Sequence, residues 1–184
     1  MPKLSSDEIR KIFETSEEFN VIFDAFEQAL TQRFDDIELY RQLFWNKALS
    51  ADELRMFCDK LSKEFPKIAY DAFIWLANIF VVTYAQSDNY ELAFTYFKKA
   101  AGAKPNELDP YLEAADCYEP DLNIPPINTL IEFLKQGAAH VGDTKIIFER
   151  LAQLYELVDN DEMSHYYRRK ADFGSSGSPG LSPA

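Results

Sequence analysis

Glycine is scarce in this chain: of six in 184 residues, three fall in the last eleven, which argues against a turn-rich β protein for the body of the sequence. Cysteine is nearly as rare. Cys58 and Cys117 stand alone with no Cys-x-x-Cys pair, so neither a zinc site nor a disulfide framework is indicated, and reduced, buried thiols are expected. Histidine occurs twice, as His140 and His165, and neither has a cysteine or serine partner at a recognisable spacing. The sequence holds no Gly-x-Gly-x-x-Gly, no phosphate loop, no Gly-x-Ser-x-Gly elbow and no His-Glu-x-x-His. The acidic stretch "DNDE" at 159–162 lacks the glycine and the distal glutamate of a calcium loop and reads as a solvated helix cap. No catalytic residue, cofactor or metal is expected, and the chain reads as no enzyme, with an enzyme of an unlisted site as the alternative that motif absence leaves open.

Positive charge is also short, with 19 basic against 31 acidic side chains and a net charge of −12. A polyanion would be repelled over most of such a surface, so nucleic acid is excluded as an expected ligand. Long apolar runs are missing too. The longest, "AFIWLANIFVVTYA", is interrupted by Asn78 and is too short to span a bilayer, and "MPKLSSDEIRK" has no apolar core of signal-peptide length. The expectation is a cytoplasmic protein without membrane insertion.

Core material, by contrast, is plentiful. Hydrophobic residues make up 47% of the chain and aromatics 15%, enough for one ordered domain or one array of repeats. The acidity is uneven: residues 69–142 carry ten acidic side chains against Lys98, Lys99, Lys104 and Lys135, a balance of −6 that favours a basic or cationic-amphipathic partner.

Helix start signals recur along the chain. Ser5 stands three before Glu8, Ser50 three before Glu53 and Asp88 three before Glu91, while Asp109 precedes Pro110 and Asn123 precedes Pro125-Pro126. Pro66, Pro105 and Gly142 supply the stops. Between these marks the apolar spacing is helical: Leu54, Phe57, Cys58, Leu61 and Phe65 fall three or four apart, as do Leu130, Phe133, Leu134, Gly137 and Val141. About ten helices joined by short loops follow, which implies antiparallel neighbours in an all-α fold. At the amino end Ser16 either caps a second helix or lies within a continuous one. The last eleven residues, "GSSGSPGLSPA", have nothing to bury and read as a flexible tail or linker.

Small residues and aromatics repeat at intervals of about 34 residues, the signature of stacked helix pairs. In the stretch "AFIWLANIFVVTYAQSDNYELAFTYFKKAAGAKPN", Phe73, Leu76, Ala77 and Phe80 are followed by Ala93, Phe97, Ala100 and Pro105. "DPYLEAADCY" repeats the first half with Tyr111, Ala114, Ala115 and Tyr118, and Leu130, Leu134, Gly137 and Gly142 the second. A third copy gives Phe148, Leu151, Ala152 and Tyr155, then Ser164 and Ala171, with Arg168 where a ring recurs elsewhere. This pattern resembles the tetratricopeptide repeat. The departure is "VVTY", one extra helical turn unless Tyr84 takes the aromatic place. The resemblance implies antiparallel helix pairs stacked as a right-handed superhelix. The organisation expected is an N-terminal helical cap at 1–34, a divergent helix pair at 35–68, three degenerate repeats at 69–173 and the tail at 174–184. Ala77, Ala93, Ala100, Ala115, Gly137, Ala152 and Ala171 are the expected points of close helix approach, with the rings filling the space between layers.

The resemblance further implies a concave face, formed by the first helix of each pair, that holds an extended peptide or a partner helix. Trp75, Asn78, Ile79, Glu113, Asp116, Glu149 and Arg150 are the partner-binding candidates along it. One branch of the family clamps acidic chaperone tails. Asn78 and Arg150 match its groove positions, whereas Ile74 replaces a lysine and Glu113 an asparagine. A second branch, the small chaperones of secretion-system translocators, shares the size, acidity and three-repeat plan, and self-association or a place in a larger assembly is the remaining option.

Overall fold

The computed structural model describes residues 3–83 and 87–173, with backbone alone at 83, 87 and 88. Those residues form ten α-helices: α1 (Ser6–Thr15), α2 (Phe19–Thr31), α3 (Ile37–Phe44), α4 (Ala51–Glu64), α5 (Ala69–Thr83), α6 (Ser87–Ala103), α7 (Asp109–Asp116), α8 (Ile127–Ala138), α9 (Lys145–Leu157) and α10 (Asp161–Phe173). A 3-10 turn, Pro66–Ile68, joins α4 to α5. The all-α expectation holds, and the one bridge among the described residues, Glu119 with Ile124, closes a turn outside the helices.

Local chemistry explains the helix ends. Ser5 and Ser50 head complete capping boxes: each hydroxyl accepts from the backbone N–H three residues on, and Glu8 and Glu53 reach back to the serine N–H groups. The bonds from Ser5 hold the Glu8 carboxyl below its ordinary range. The amino-terminal stretch is two helices, since Ser16 is extended at the end of α1 and α2 starts at Phe19. Asp109 is not the expected cap. It is the first residue of α7, and Leu108 occupies the cap position without a side-chain bond. Asn123 caps at longer range: with φ 52° it sits four residues before Ile127 and accepts that residue's N–H at 3.0 Å. The stop at Gly142 comes late, since α8 already ends at Ala138. Asp88, the expected cap, falls inside α6, which begins at Ser87, and its side chain lies outside the described residues, as does the aromatic alternative at Tyr84.

Two helices end in a Schellman motif built without glycine. After α2, Phe34 N–H donates to Ala29 and Arg33 N–H to Leu30, with Arg33 at φ 61°. After α9, Asn160 N–H donates to Tyr155 and Asp159 N–H to Glu156, with Asp159 at φ 53°. Asn160 then turns its side chain to the Met163 N–H at 3.1 Å and so caps α10. The "DNDE" stretch is therefore a tight helical turn capped by the Asn160 amide oxygen, with Asp159, Asp161 and Glu162 exposed, in line with the solvated cap expected.

The helices divide between two compact units, one ending at Lys104 and the other beginning at Pro105. Four sequential pairs, α1/α2, α5/α6, α7/α8 and α9/α10, run antiparallel. In the first unit Leu4, at the start of α1, bonds Gln28 and Gln32 at the end of α2, and Tyr70 of α5 lies under Lys104, just past α6. In the second, Tyr111 of α7 meets Gly137 of α8, and α10 lies along α9 with Ser164 bonded to Glu156 and Lys170 over Phe148. The odd-numbered helices also pack on one another, α1 on α3 and α3 on α5 in one unit, α7 on α9 in the other. Each next odd helix rests as well on the even helix before it: α5 on α4, and α9 on α8. The same layering thus occurs in both units.

Small residues sit where these layers close. Ala72, Ala77, Ala93 and Ala100 have no exposure, and Ala114, Ala152 and Ala171 no more than 2%. Ala115 differs from expectation: it is half-buried, and its neighbour Ala114 takes the inner place because α7 is short and its buried stripe runs through Pro110, Tyr111 and Ala114. Tyr118 falls beyond α7 and donates its hydroxyl to Asn123 at 3.2 Å. Gly137 is the one of the three described glycines in close contact. A Cβ there would lie 2.7 Å from two carbons of the Tyr111 ring, far inside contact distance.

Gly137→Ala is expected to cost about 1–3 kcal/mol through this overpacking, read as a lower urea midpoint, while the exposed Gly102→Ala shows no such loss. Asp159→Gly is expected to raise stability by about 0.5–1 kcal/mol, because glycine accepts a positive φ without steric cost; an unchanged or lower thermal midpoint contradicts it.

Candidate functional site

The face of interest follows from which helices adjoin. Since α3 packs on α5, and α7 on α9, side chains on neighbouring odd helices meet across each unit. In the first unit the Arg41 guanidinium of α3 lies 4.1 Å from the centre of the Trp75 ring of α5, which leaves the indole half-buried under a cation. Asn78, one turn further along α5, is half-buried as well. Ile79 is 1% exposed and is a core residue. Its place among the binding candidates is corrected by helical geometry: one residue past Asn78 turns the chain by about 100° and carries the side chain off the face.

In the second unit Asp116 of α7 and Arg150 of α9 form an ion pair at 2.8 Å, and Arg150 also donates to Gln153 at 3.1 Å. Glu149 is exposed, 3.9 Å from Lys145 on its own helix. Glu113 is half-buried on α7. The four candidates of this unit thus lie on two adjacent helices, with the Arg150 charge already answered inside the chain. Arg150 Nε is buried without a hydrogen-bond acceptor. Arg41 Nε is in the same condition, and its Nη1 is engaged by Glu38. Each unit therefore holds an arginine clamped between two odd helices. Sequence reasoning singled out Arg150 but missed Arg41, whose partner ring is 34 residues away; the available signal was an arginine one repeat length before Trp75.

A polar node joins the even helices of the first unit. Asp59 of α4 pairs with Lys99 of α6 and accepts the Tyr96 hydroxyl at 3.2 Å, while Lys99 lies 4.3 Å over the Tyr96 ring. Burial and the nearby Asp59 push the Tyr96 phenol upward. The adjacent Cys58 thiol donates to the Ala72 carbonyl at 3.6 Å and ties α4 to α5.

Burial raises the Cys58 thiol well above its ordinary value, and Asp59 adds to the shift. Burial raises Cys117 to about 12, with Glu113 and Asp116 adding to it. Both sulfurs stay protonated at neutral pH and are poor nucleophiles and poor metal ligands. His140 and His165 are exposed, and among the described residues no cluster of three or more histidine, cysteine, aspartate or glutamate side chains could hold a metal ion. Among the described residues no single helix is long and apolar enough to cross a membrane.

What the layering defines is an all-α fold of the helical-repeat class, with helix pairs laid against one another. No family model matches the chain, and no curated protein matches it in sequence. Among solved structures it is similar to MamA. One crystal structure of that protein has a TM-score of 0.52 at 16% identity, covering 97% of this chain and 96% of the other. Two further MamA structures, labelled MSR-1 and AMB-1, both have a TM-score of 0.49 at 17% identity, covering 91% and 90% of this chain and 92% and 96% of theirs. The first supports a tetratricopeptide-like arrangement of the helices. At such identity the likeness shows the fold alone.

The sign of the thiol shifts sets an alkaline limit. Cys58 is held above its ordinary value of 9.0 in the folded chain, so its contribution to stability is complete below about pH 9 and is lost as pH rises towards the folded-state value. Unfolding free energy is expected to fall above pH 9 with a slope of up to about 1.4 kcal/mol per pH unit from Cys58, and the slope is shallower in Cys58→Ala. Equal slopes in the two proteins between pH 9 and 10 contradict the assignment.

Proposed function

We propose that this chain is a non-enzymatic protein-interaction module whose odd-numbered helices present the binding face. An extended peptide or a partner helix lies on this face within a unit, contacting Trp75 and Asn78 in the first or Glu113, Asp116, Glu149 and Arg150 in the second. The observation that carries this reading is the packing of odd helix on odd helix in both units, which sets half-buried and exposed side chains of adjacent odd helices near one another within each unit. A ring for apolar contact in the first unit and carboxylates on the odd helices of the second suit peptide recognition better than chemistry on a small substrate. The raised thiols and the exposed histidines support the absence of a catalytic role.

The electrostatics favour a basic or amphipathic partner. The chain is at −12, and Arg150, the cation that an acidic tail would need, is already held by Asp116 and Gln153. Glu113 and Glu149 add repulsion towards a carboxylate-rich segment. An extended basic segment would instead be steered to the face and would meet carboxylates along it.

The reading is tested with immobilised arginine- and lysine-rich amphipathic peptides and their glutamate-substituted counterparts. Full-length chain is expected to be retained by the basic set, with Trp75→Ala and Asp116→Ala each weakening retention about tenfold. Retention by the acidic set, or full retention of both variants with folding verified by circular dichroism, overturns it.

A further inference from the structure

In the first unit the end of α1 and the end of α3 are fastened together, and a cleft opens beside the fastening. Asn46, 8% exposed, donates its side-chain amide to the carbonyls of Phe13 at 2.8 Å and Ser16 at 2.9 Å, and its own oxygen accepts the Ala48 N–H at 2.9 Å. Both sides of that buried amide are therefore answered within the chain. The cleft, of about 570 Å³, is lined by residues 14–17 and 45–48. Its hydroxyls are used locally: Thr15 donates to the Lys11 carbonyl at 2.8 Å, and Ser16 accepts the Glu18 N–H at 3.3 Å. What stays open is the Trp45 indole, 45% exposed, with the exposed Glu14 and Glu17 carboxylates and the Lys47 ammonium. Among the described residues none of these four side chains is in an ion pair, a ring contact or a hydrogen bond.

We propose that this cleft takes the side chain of an arginine carried by a partner chain. The molecule shows the mode of capture in its own packing. At Trp75 a guanidinium, that of Arg41, lies over an indole, 4.1 Å from its centre, while the Glu38 carboxylate engages the guanidinium Nη1. At Trp45 the chain supplies an indole and carboxylates in one cleft, and no cation of the described residues lies over the ring. The field there has the matching sign. Carboxylates outnumber the one ammonium, and α1, ending at Thr15, and α3, ending at Phe44, both bring their carboxyl ends to the cleft, where a helix dipole favours positive charge. Arginine suits the site better than lysine because its flat guanidinium stacks on a ring and bonds a carboxylate at the same time. Lys47 opposes any cation that enters, so its removal improves binding. The site is separate from the contacts proposed at Trp75 and Asn78, and neither depends on the other.

The chain has two tryptophans, so nuclear magnetic resonance of the isotope-labelled full-length protein reads one indole N–H signal from Trp45 and one from Trp75, told apart by Trp45→Phe. The probe is a blocked peptide, acetyl-Ser-Gly-Arg-Gly-Ser-amide, with one twin carrying citrulline, which keeps the shape of arginine without its charge, and another carrying lysine. The arginine peptide is expected to shift the Trp45 signal saturably and to leave the Trp75 signal in place. The citrulline twin binds about fivefold more weakly or worse, and the lysine twin falls between the two. Glu14→Gln combined with Glu17→Gln weakens the arginine peptide about fivefold, and Lys47→Gln tightens it about twofold, as exposed charge pairs of ordinary strength require. All three positions are on the surface, and an otherwise unchanged spectrum verifies the fold of each variant. Equal affinity for the citrulline twin, unchanged affinity in the double glutamine variant, or weaker binding to the Lys47 variant each overturns the proposal. A saturable shift of Trp75 alone does so too and gives the peptide to the odd-helix face. No saturable shift of either indole overturns the arginine site as well.

Discussion

Helix α5 is the element on which the first unit depends. One charged residue, Asp71, interrupts fifteen positions that are otherwise almost wholly apolar, and such a surface is stable in water only if neighbours cover it on several sides. It receives α3, α4 and α6, and the alanines at 72, 77, 93 and 100 let those backbones come close enough to exclude water. The rings of Phe73, Phe80 and Tyr96 then fill what the alanines leave open. A compact seat for each successive helix, repeated along the chain, is the constraint from which the layering follows.

That constraint also separates structural polarity from polarity available to a partner. Lys99, Asp59 and Tyr96 bond one another between even helices, where packing fixes them. Arg41 and Arg150 each bridge two odd helices, one through a ring and the other through a carboxylate. An arginine fork held in this way is pre-ordered, which lowers the entropy lost when a partner arrives. The same fixation takes its charge away from an incoming anion. The proposed preference for basic segments therefore rests on which charges are already answered as well as on the net acidity.

Much of the architecture was legible in the residues. Capping boxes at Ser5 and Ser50, proline stops at Pro66 and Pro105, and recurring alanines locate helices and their points of approach, because each acts through chemistry within a few residues. Less local features were harder to read. The Asp109-Pro110 pair suggests a cap, yet the helix begins one residue earlier. Ala115 and Ala114 are both small and adjacent, so spacing alone does not decide which faces inward. Ile79 has the composition of a surface anchor beside Asn78, but its angular position on α5 puts it in the core.

Sequence by itself determined that the chain is helical, where most helices start and stop, and that its charge disfavours anions, since these depend on local hydrogen bonding, side-chain spacing and a simple count of charges. Tertiary structure decided which side chains meet. Arg41 reaches Trp75, Arg150 reaches Asp116, and Gly137 is forced against Tyr111 because helices distant in sequence are brought within a few ångströms. Such contacts depend on the rotation of each helix about its axis, and that rotation is fixed by the packing of several neighbours at once.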